Sequence, residues 1–234
     1  MEQRPKALLL LEDGTLFEGQ AFGAIGSTSG EICFNTGMTG YQEVFTDPSY
    51  CGQILVATHV HIGNYGIHPD EAESDKIQIA GLVCRSFNVK YSRRSATENI
   101  DQYFKDQKVV GISDIDTRAV VRHIRSKGAM NCIISSETTD LEVLKQKLAQ
   151  VPSMAGLELS SRVTTPKSYF VGNPDASLKV AVMDFGVKRN TIRHLVARDC
   201  YVQVFPAGTG FSELKEWEPD GILLSNGPGD PSAD

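Results

Sequence analysis

The residues with the clearest capacity for chemistry form a loop near the end of the sequence, residues 225–231, Ser-Asn-Gly-Pro-Gly-Asp-Pro. Its two prolines have no backbone N–H, so the free donors of the turn are the N–H groups of Asn226, Gly227, Gly229 and Asp230. Gly229 can adopt a positive φ without a Cβ clash. Converging N–H groups of small residues stabilise a negatively charged oxygen. The loop therefore suits the oxyanion of an acyl transfer or a phosphate, and an ordinary strand-to-helix turn remains the alternative.

The elements that must position this loop begin near residue 179. Apolar runs predict strands at 179–185, 201–205 and 221–224, and 3.6-residue periodicity predicts helices at 190–198 and 212–217. Alternating strands and helices with unbroken apolar strands indicate a parallel sheet that is buried on both faces. Such sheets bind ligands at the C-terminal ends of their strands, which is where the loop lies.

The preceding residues, 1–163, have a different pattern and predict a mixed β and α domain. Asp13-Gly14 between two apolar runs predicts a β-hairpin. We also predict turns at the glycines 23, 26 and 30, a capping box formed by Thr39 and Gln42, and a strand over 77–84. Segment 164–178 is rich in turn-forming residues and predicts a linker. The predicted domains are thus 1–163 and 179–234, joined by the linker 164–178.

Two further motifs could have a chemical role or a purely structural one. His59 and His61 lie on one face of an extended segment with acidic residues downstream, which would suit a metal. Without a third ligand at fixed spacing this signal is weak, and a structural role is favoured. Asp184-Phe185-Gly186 matches the kinase magnesium triplet, but no catalytic loop or glycine-rich loop accompanies it, so we reject a kinase.

Composition excludes several classes of protein. The 234 residues carry a net charge of −6, which argues against a nucleic-acid-binding surface. No apolar run approaches the ~18 residues of a membrane span. The five cysteines include no C-x-x-C pair, which argues against a zinc site and favours a reducing cytoplasm. Each cysteine lies in or beside an apolar run without a glycine-flanked elbow, so we expect structural thiols.

The loop and several upstream motifs together resemble a known family. Residues 225–231 resemble the oxyanion-strand signature of class I glutamine amidotransferases. Asn35–Glu43 and Thr46–Tyr50 are similar to a long signature of the carbamoyl phosphate synthetase small-chain family, to which His61–Asn64 and Asp114–Arg118 also correspond. The resemblance runs from about Leu8 to Pro231. Other class I amidotransferases lack such a preceding domain.

The resemblance implies a fold, an activity and a set of residues. The fold is α/β, with an N-terminal mixed β/β/α domain of swivelling type, followed by the first half of a doubly wound, flavodoxin-like parallel sheet. The activity is hydrolysis of L-glutamine, with ammonia passed to a large synthetase chain that uses ATP, Mg²⁺ and bicarbonate to make carbamoyl phosphate for arginine and pyrimidine biosynthesis. Ser49 would contact the bound glutamine, and the N–H groups of Gly227 and Gly229 would hold the oxyanion.

The resemblance also implies the state in which this chain works. We expect a heterodimer or higher oligomer in which the N-terminal domain docks the large chain, and no cofactor or metal in this chain. The family's Gly-x-Cys-x-Gly-His-Gln elbow and His-Glu partners do not occur in the sequence. We therefore expect the catalytic triad beyond Asp234 and an inactive 234-residue chain.

The second predicted domain, residues 179–234, is small. A domain of about 55 residues has only marginal stability as a separate folding unit. We therefore expect exposed apolar surface beside its third strand, or disorder there. The alternative to a glutaminase is a non-catalytic module that binds phosphate or mediates an interaction.

Overall fold

The computed structural model describes residues 4–233 and divides them into two compact units. The first unit contains the chain through Thr46 and from Gly52 to Ser153. The second contains Asp47–Cys51 together with the chain from Met154 onward. A short segment from the N-terminal third therefore belongs to the C-terminal unit.

Seven strands of the first unit close into a barrel in the order β1-β2-β8-β6-β4-β3-β9. Two further short strands, β5 and β7, pair separately. The strands of this unit are β1 (Lys6–Leu11), β2 (Leu16–Gly23), β3 (Ser27–Asn35), β4 (Ile54–Ala57), β5 (His61–Ile62), β6 (Gly81–Val83), β7 (Ser86–Phe87), β8 (Val110–Ser113) and β9 (Asn131–Ser135). The predicted hairpin is confirmed, because β1 and β2 pair antiparallel with Leu9 opposite Phe17.

Strand β1 is apolar on both faces because both faces are covered. Leu9 and Leu11 lie in the interior cluster of the barrel, whereas Leu8 and Leu10 pack outside against an amphipathic helix. That helix is α4 (Leu141–Leu148); the unit also contains α1 (Tyr41–Thr46), α2 (Ile100–Asp106) and α3 (Thr117–Lys127). The alternation of the two faces follows from the two-residue period of an extended chain.

Three local predictions for the first unit are wrong. Gln42 does not cap α1; its buried amide donates to the His68 carbonyl and accepts from the His68 N–H, both over 2.8 Å, which satisfies both of its polar atoms. Gly30 lies inside β3 and not in a turn, and a Cβ there would lie 2.1 Å from the Gly52 carbonyl oxygen. Residues 77–80 precede β6 as a loop because their N–H groups bond outside a strand ladder, as Gln78 N–H does to the Phe45 carbonyl of α1 and Ala80 N–H to the Gln53 carbonyl.

The second unit is built on a four-stranded sheet of order β10-β12-β11-β13. Its strands are β10 (Tyr169–Val171), β11 (Leu178–Asp184), β12 (Cys200–Pro206) and β13 (Gly221–Leu224), and its helices are α5 (Arg189–Val196) and α6 (Phe211–Glu216). Strand β11 runs parallel to both β12 and β13. Ile192 of α5 packs on one face of the sheet and Leu214 of α6 belongs to a cluster on the other. The predicted α/β class and the parallel sheet covered on both faces are confirmed.

The boundary between the parts differs from the predicted one. Strand β10 lies inside the predicted linker 164–178 and pairs antiparallel with β12, with Phe170 opposite Gln203. The compact division falls after Ser153, so residues 154–163 join the second unit. Leu159 is buried, and Thr165 N–H bonds to the Asp184 carboxylate over 2.7 Å. These contacts hold a segment of turn-rich composition against the sheet.

The edge strand β13 leaves apolar side chains exposed. Ile222 is 47% exposed and Leu224 70% exposed, so the apolar surface predicted beside the third strand is confirmed. The other two parallel strands are largely buried, since β11 and β12 each pair on both sides. Among the described residues, no helix has the length and apolar content needed to cross a lipid bilayer.

Candidate functional site

The topology of the second unit marks one edge of its sheet as the place for a site. The chain leaves the central strand β11 for β12 on one side and then crosses back to β13 on the other. Connections therefore diverge at the C-terminal ends of β11 and β13, which is where ligands bind in open α/β sheets. The loops that follow these two strands are residues 185–188 and 225–231, and the second of them is the predicted oxyanion loop.

Ser225 joins these two loops at their roots. Its N–H donates to the Met183 carbonyl over 3.1 Å, which continues the β11–β13 ladder by one residue. Its hydroxyl accepts a hydrogen bond from Phe185 N–H at 3.0 Å and donates one to the Asn226 carbonyl at 2.7 Å. One small side chain thus bonds to a backbone group of each loop.

Asn226 brings a distant serine to the oxyanion loop. Its side-chain Nδ2 donates to Ser49 Oγ over 2.7 Å and to the Gly186 carbonyl over 3.0 Å. Ser49 and Asn226 are 177 residues apart in the sequence. The residue predicted to contact glutamine and the loop predicted to hold the oxyanion therefore lie side by side.

Ser49 is held in place by an acidic neighbour. It lies in a single 3₁₀ turn, Pro48–Tyr50, in which Asp47 Oδ1 accepts the Ser49 N–H over 2.9 Å. The other oxygen of the buried Asp47 carboxylate forms an ion pair with Lys188 Nζ over 2.7 Å. Because Lys188 immediately precedes α5, this pair ties the turn that carries Ser49 to the start of that helix.

Asp184 at the end of β11 organises the first loop. Its buried carboxylate accepts the N–H groups of Gly186 at 2.9 Å and Val187 at 2.7 Å through Oδ1, and that of Thr165 at 2.7 Å through Oδ2. Gly186 in turn lies close to Pro48 and Pro228, which a Cβ would approach to 3.0 and 3.3 Å. The carboxylate therefore fixes the loop against which Ser49 and the oxyanion loop pack.

The two glycine amides of the loop are available as donors. Among the hydrogen bonds of residues 4–233, none is donated by the N–H of Gly227 or Gly229. The predicted donor Asp230 is different, since its N–H bonds to the Leu157 carbonyl over 3.0 Å. Backbone crowds both glycines, because an added Cβ would lie 2.4 Å from the Phe185 carbonyl oxygen at Gly227 and 2.4 Å from the Leu157 carbonyl oxygen at Gly229. Only glycine leaves the backbone room to occupy these positions.

The cysteines of the first unit are poorly suited to be nucleophiles. Burial raises the pKa of the Cys33 thiol to about 12, and the Glu31 carboxylate adds to the shift. Burial also raises the pKa of Cys84 and Cys132 well above that of an ordinary thiol. A thiol with a raised pKa carries little of the thiolate that attacks a carbonyl.

The histidine pair does not gain a third ligand within the described residues. No group of three His, Cys, Asp or Glu side chains there is arranged to hold a metal ion. His61 instead belongs to the short strand β5, opposite Ser86.

Sequence reasoning missed Asp184, Asp47 and Lys188 as parts of this site. An acidic residue at the end of a parallel strand, followed by Phe-Gly, was the available signal for Asp184. No sequence signal joins Asp47 to Lys188, because the ion pair exists only once the chain has folded.

Comparison with known proteins identifies the parts on which these residues lie. The family model described as carbamoyl-phosphate synthase small chain, CPSase domain, matches residues 9–134. The model described as glutamine amidotransferase class-I matches residues 181–234 and so includes the loop at Asn226.

Several relatives match along nearly the whole chain. The carbamoyl phosphate synthase small chain of Chlorobaculum tepidum is 48% identical over 233 residues, covering 100% of this chain and 63% of that protein. The corresponding small chain of a Synechococcus species is 46% identical over 244 residues, covering 99% and 62%. That of Escherichia coli K12 is 43% identical over 242 residues, covering 97% and 63%.

The matches include nearly all of this chain but only part of each relative. The chain spans 62–63% of the length of these relatives. The small-chain model by itself covers more than half of the chain, with residues 9–134 of 234. The chain belongs to the carbamoyl-phosphate synthase small chain family.

Proposed function

We propose that this chain forms the glutamine-binding and oxyanion-binding part of a glutaminase that supplies ammonia for carbamoyl phosphate synthesis. The observation that supports it most is the 2.7 Å hydrogen bond between Asn226 Nδ2 and Ser49 Oγ. It joins the serine expected to contact glutamine to the loop expected to stabilise the oxyanion. Membership of the small-chain family supports the same assignment.

The proposed reaction uses the loop when charge develops on the amide oxygen of glutamine. A thiolate attacks the side-chain carboxamide carbon, and the C=O electron pair moves to oxygen. The N–H groups of Gly227 and Gly229 donate to that oxygen, and loss of one such donor typically costs ~2.7–4 kcal/mol of transition-state stabilisation. Ammonia leaves after protonation, and water then cleaves the thioester to give glutamate.

In this proposal, neither the thiolate nor the base that activates it is among residues 4–233. The raised pKa values of Cys33, Cys84 and Cys132 disfavour each of them as the nucleophile. The 234-residue chain by itself therefore binds glutamine but does not hydrolyse it. Binding without turnover is the behaviour that distinguishes it from a complete glutaminase.

The proposed partner is a large synthetase chain, in a heterodimer or a higher oligomer. That chain would consume the ammonia with bicarbonate and Mg²⁺-bound ATP to form carbamoyl phosphate, the precursor for arginine and pyrimidine synthesis. The first unit, built on the closed barrel, is the proposed docking domain. All five cysteines are free thiols, which fits our proposal of a reducing cytoplasm.

A titration and an assay test the function. Calorimetric titration of the 234-residue chain with glutamine should give saturable binding that Ser49→Ala weakens, whereas inorganic phosphate and ATP should give none. Glutamate release by the same chain should remain at background. Binding of phosphate in place of glutamine would support a phosphate-binding module, and glutamate release would reveal a nucleophile among the five cysteines.

A further inference from the structure

The oxyanion loop is supported from behind by a second stretch of backbone, residues 156–159. Gly229 has φ 85°, and a Cβ on it would lie 2.4 Å from the Leu157 carbonyl oxygen and 3.2 Å from the Leu159 nitrogen. An isolated antiparallel bridge pairs Glu158 with Gly229. Gly229 therefore lies directly against this stretch.

Asp230 provides the side chain that joins the two stretches. Its Oδ2 accepts the Gly156 N–H over 2.8 Å, and its own backbone N–H donates to the Leu157 carbonyl over 3.0 Å. Its Oδ1 accepts both the N–H of Ser232 at 2.9 Å and the hydroxyl of Ser232 at 2.8 Å. These donors lower the pKa of the Asp230 carboxyl, with the Gly156 N–H contributing most. These bonds favour the ionised carboxylate, which joins the supporting stretch at Gly156 to the end of the loop at Ser232.

The supporting stretch has hydrogen bonds of its own and one buried side chain. Leu159 is buried, and the Glu158 carboxylate accepts the N–H and hydroxyl of Ser161 at 2.7 and 2.6 Å and the hydroxyl of Ser160 at 3.0 Å. Leu157 N–H donates to the Met154 carbonyl at 3.1 Å. A loop tied to such a stretch keeps its peptides in a fixed orientation. The loop alone has no such restraint, since Gly227 and Gly229 have the widest backbone freedom of any residue.

We propose that Asp230 is a positioning residue for glutamine hydrolysis: by tethering the loop to Gly156 and Leu157 it fixes the direction of the Gly229 N–H. This inference rests on the proposed function. In this proposal Asp230 contacts neither substrate nor nucleophile; it acts through the backbone of Gly229, which sets the orientation of the Pro228–Gly229 peptide. A donor aimed at the tetrahedral oxygen contributes to the transition state more than to the bound substrate. Loss of the tether should therefore lower kcat and leave the glutamine KM nearly unchanged.

The experiment compares three variants in the native complex of the complete small chain with its large chain. Asp230→Ala removes both oxygens and should lower kcat for glutamine-dependent glutamate release by about 10- to 100-fold, the scale expected for a small misplacement of a catalytic group. Asp230→Asn keeps a carbonyl oxygen for Gly156 and should recover most of that loss. Ser232→Ala removes one contact to Oδ1 but leaves the Gly156 tether, and should retain the wild-type kcat.

Synthesis of carbamoyl phosphate from added ammonia serves as the control for folding and assembly, and it should be unchanged in all three variants. An unchanged kcat in Asp230→Ala, with normal ammonia-dependent activity, would overturn the inference while leaving the proposed function intact. So would a lowered thermal midpoint without a change in kcat, since that is the signature of a purely structural role. Absence of glutamine-dependent activity in the wild-type complex would instead refute the proposed function itself.

Discussion

Asn226 donates from its side-chain Nδ2 to Ser49 Oγ over 2.7 Å, although 177 residues separate the two in the sequence. The same nitrogen donates to the Gly186 carbonyl, so both of its hydrogens are used. Ser49 thus has its hydroxyl oxygen engaged as an acceptor, which leaves its proton to donate to a substrate. The pair acts as a unit, and its two members should be linked energetically.

The first prediction concerns this linkage. In the native complex, Ser49→Ala and Asn226→Ala should each raise the KM for glutamine by about 3- to 10-fold, corresponding to ~0.5–1.5 kcal/mol for one hydrogen bond. The double variant should resemble either single variant, because residues in one hydrogen-bond network are not additive. Steady-state glutamate release measures all three, with Ser177→Ala, an exposed serine of the second unit, as the control. Fully additive effects would show that the two residues bind glutamine independently.

The second prediction concerns the buried Asp184. Asp184→Ala leaves three N–H groups, those of Thr165, Gly186 and Val187, without their acceptor. We expect the second unit to lose about 3 kcal/mol of unfolding free energy, since one unsatisfied buried group costs ~1–3 kcal/mol and some of these three will reach water. Urea unfolding followed by fluorescence measures this change.

The probe and the control for that measurement are both provided by the chain. Trp217 is the single tryptophan and packs beside the cluster of Phe205 and Leu214, so its emission reports on the second unit alone. Asp175→Ala, at an exposed turn, should change the unfolding free energy by less than ~0.5 kcal/mol. Equal effects of the two substitutions would mean that the Asp184 carboxylate does not stabilise the loop.

The sequence was most informative where local patterns determine structure. The β-branched and apolar runs of β11 and β12, and their alternation with amphipathic helices, were sufficient to predict a parallel sheet with helices on both faces. Asp-Gly at 13–14 was sufficient to predict the first hairpin. The strand β10 was missed because three residues, Tyr-Phe-Val, among turn formers become a strand only by pairing with β12.

The candidate site was predicted in its loop but not in its supports. Proline at 228 fixes its own φ, and glycine at 227 and 229 permits the tight turn, so that loop was recognisable from its own residues. Its contact with Ser49, the ion pair between Asp47 and Lys188, and the bonds of Asp184 to Thr165 all join residues far apart in sequence. Side-chain types alone do not encode such pairs; the topology of the folded sheet brings them together.

The third prediction concerns Gly229. An alanine here meets two obstacles, a positive φ of 85° and the Leu157 carbonyl oxygen 2.4 Å from its Cβ. The backbone strain costs ~1–2 kcal/mol, and the overpacking adds ~1–3 kcal/mol. We therefore expect Gly229→Ala to lower the unfolding free energy of the second unit, measured by Trp217 fluorescence in urea, by more than backbone strain alone.

Gly156→Ala is the matched control for this prediction. Gly156 has φ 73° and lies in the same unit, but an added Cβ has no heavy atom within 4 Å. It retains its N–H, so the bond to Asp230 Oδ2 is unaffected. The control should show the ~1–2 kcal/mol of backbone strain alone. If both alanine variants lose the same free energy, the contact with Leu157 relaxes without cost and the predicted rigidity of the loop is wrong.

The fourth prediction concerns pH and the first unit. Partial burial raises the pKa of Glu43, and repulsion from Glu71 and Glu73 adds to the effect. Its Oε2 is buried and has no hydrogen-bond partner within the described residues. A carboxyl whose pKa is higher in the folded than in the unfolded state binds its proton more tightly when folded. Stability contributed by this group is therefore greatest at low pH and falls as pH rises above the ordinary pKa of a glutamic acid.

Glu43→Gln removes the charge that causes this loss. Near pH ~4 the unfolding free energy of the variant should equal that of the wild type or be lower. As the pH is raised towards ~7, the unfolding free energy of the variant should increase relative to that of the wild type. Urea unfolding followed by far-ultraviolet circular dichroism at several pH values measures the difference. Glu137→Gln is a control of opposite sign, because hydrogen bonds from the Ser27 hydroxyl and Lys147 lower the pKa of Glu137. The unfolding free energy of that variant should fall relative to the wild type as the pH rises. If the two variants show the same pH dependence of unfolding free energy relative to the wild type, neither carboxyl titrates as its surroundings require.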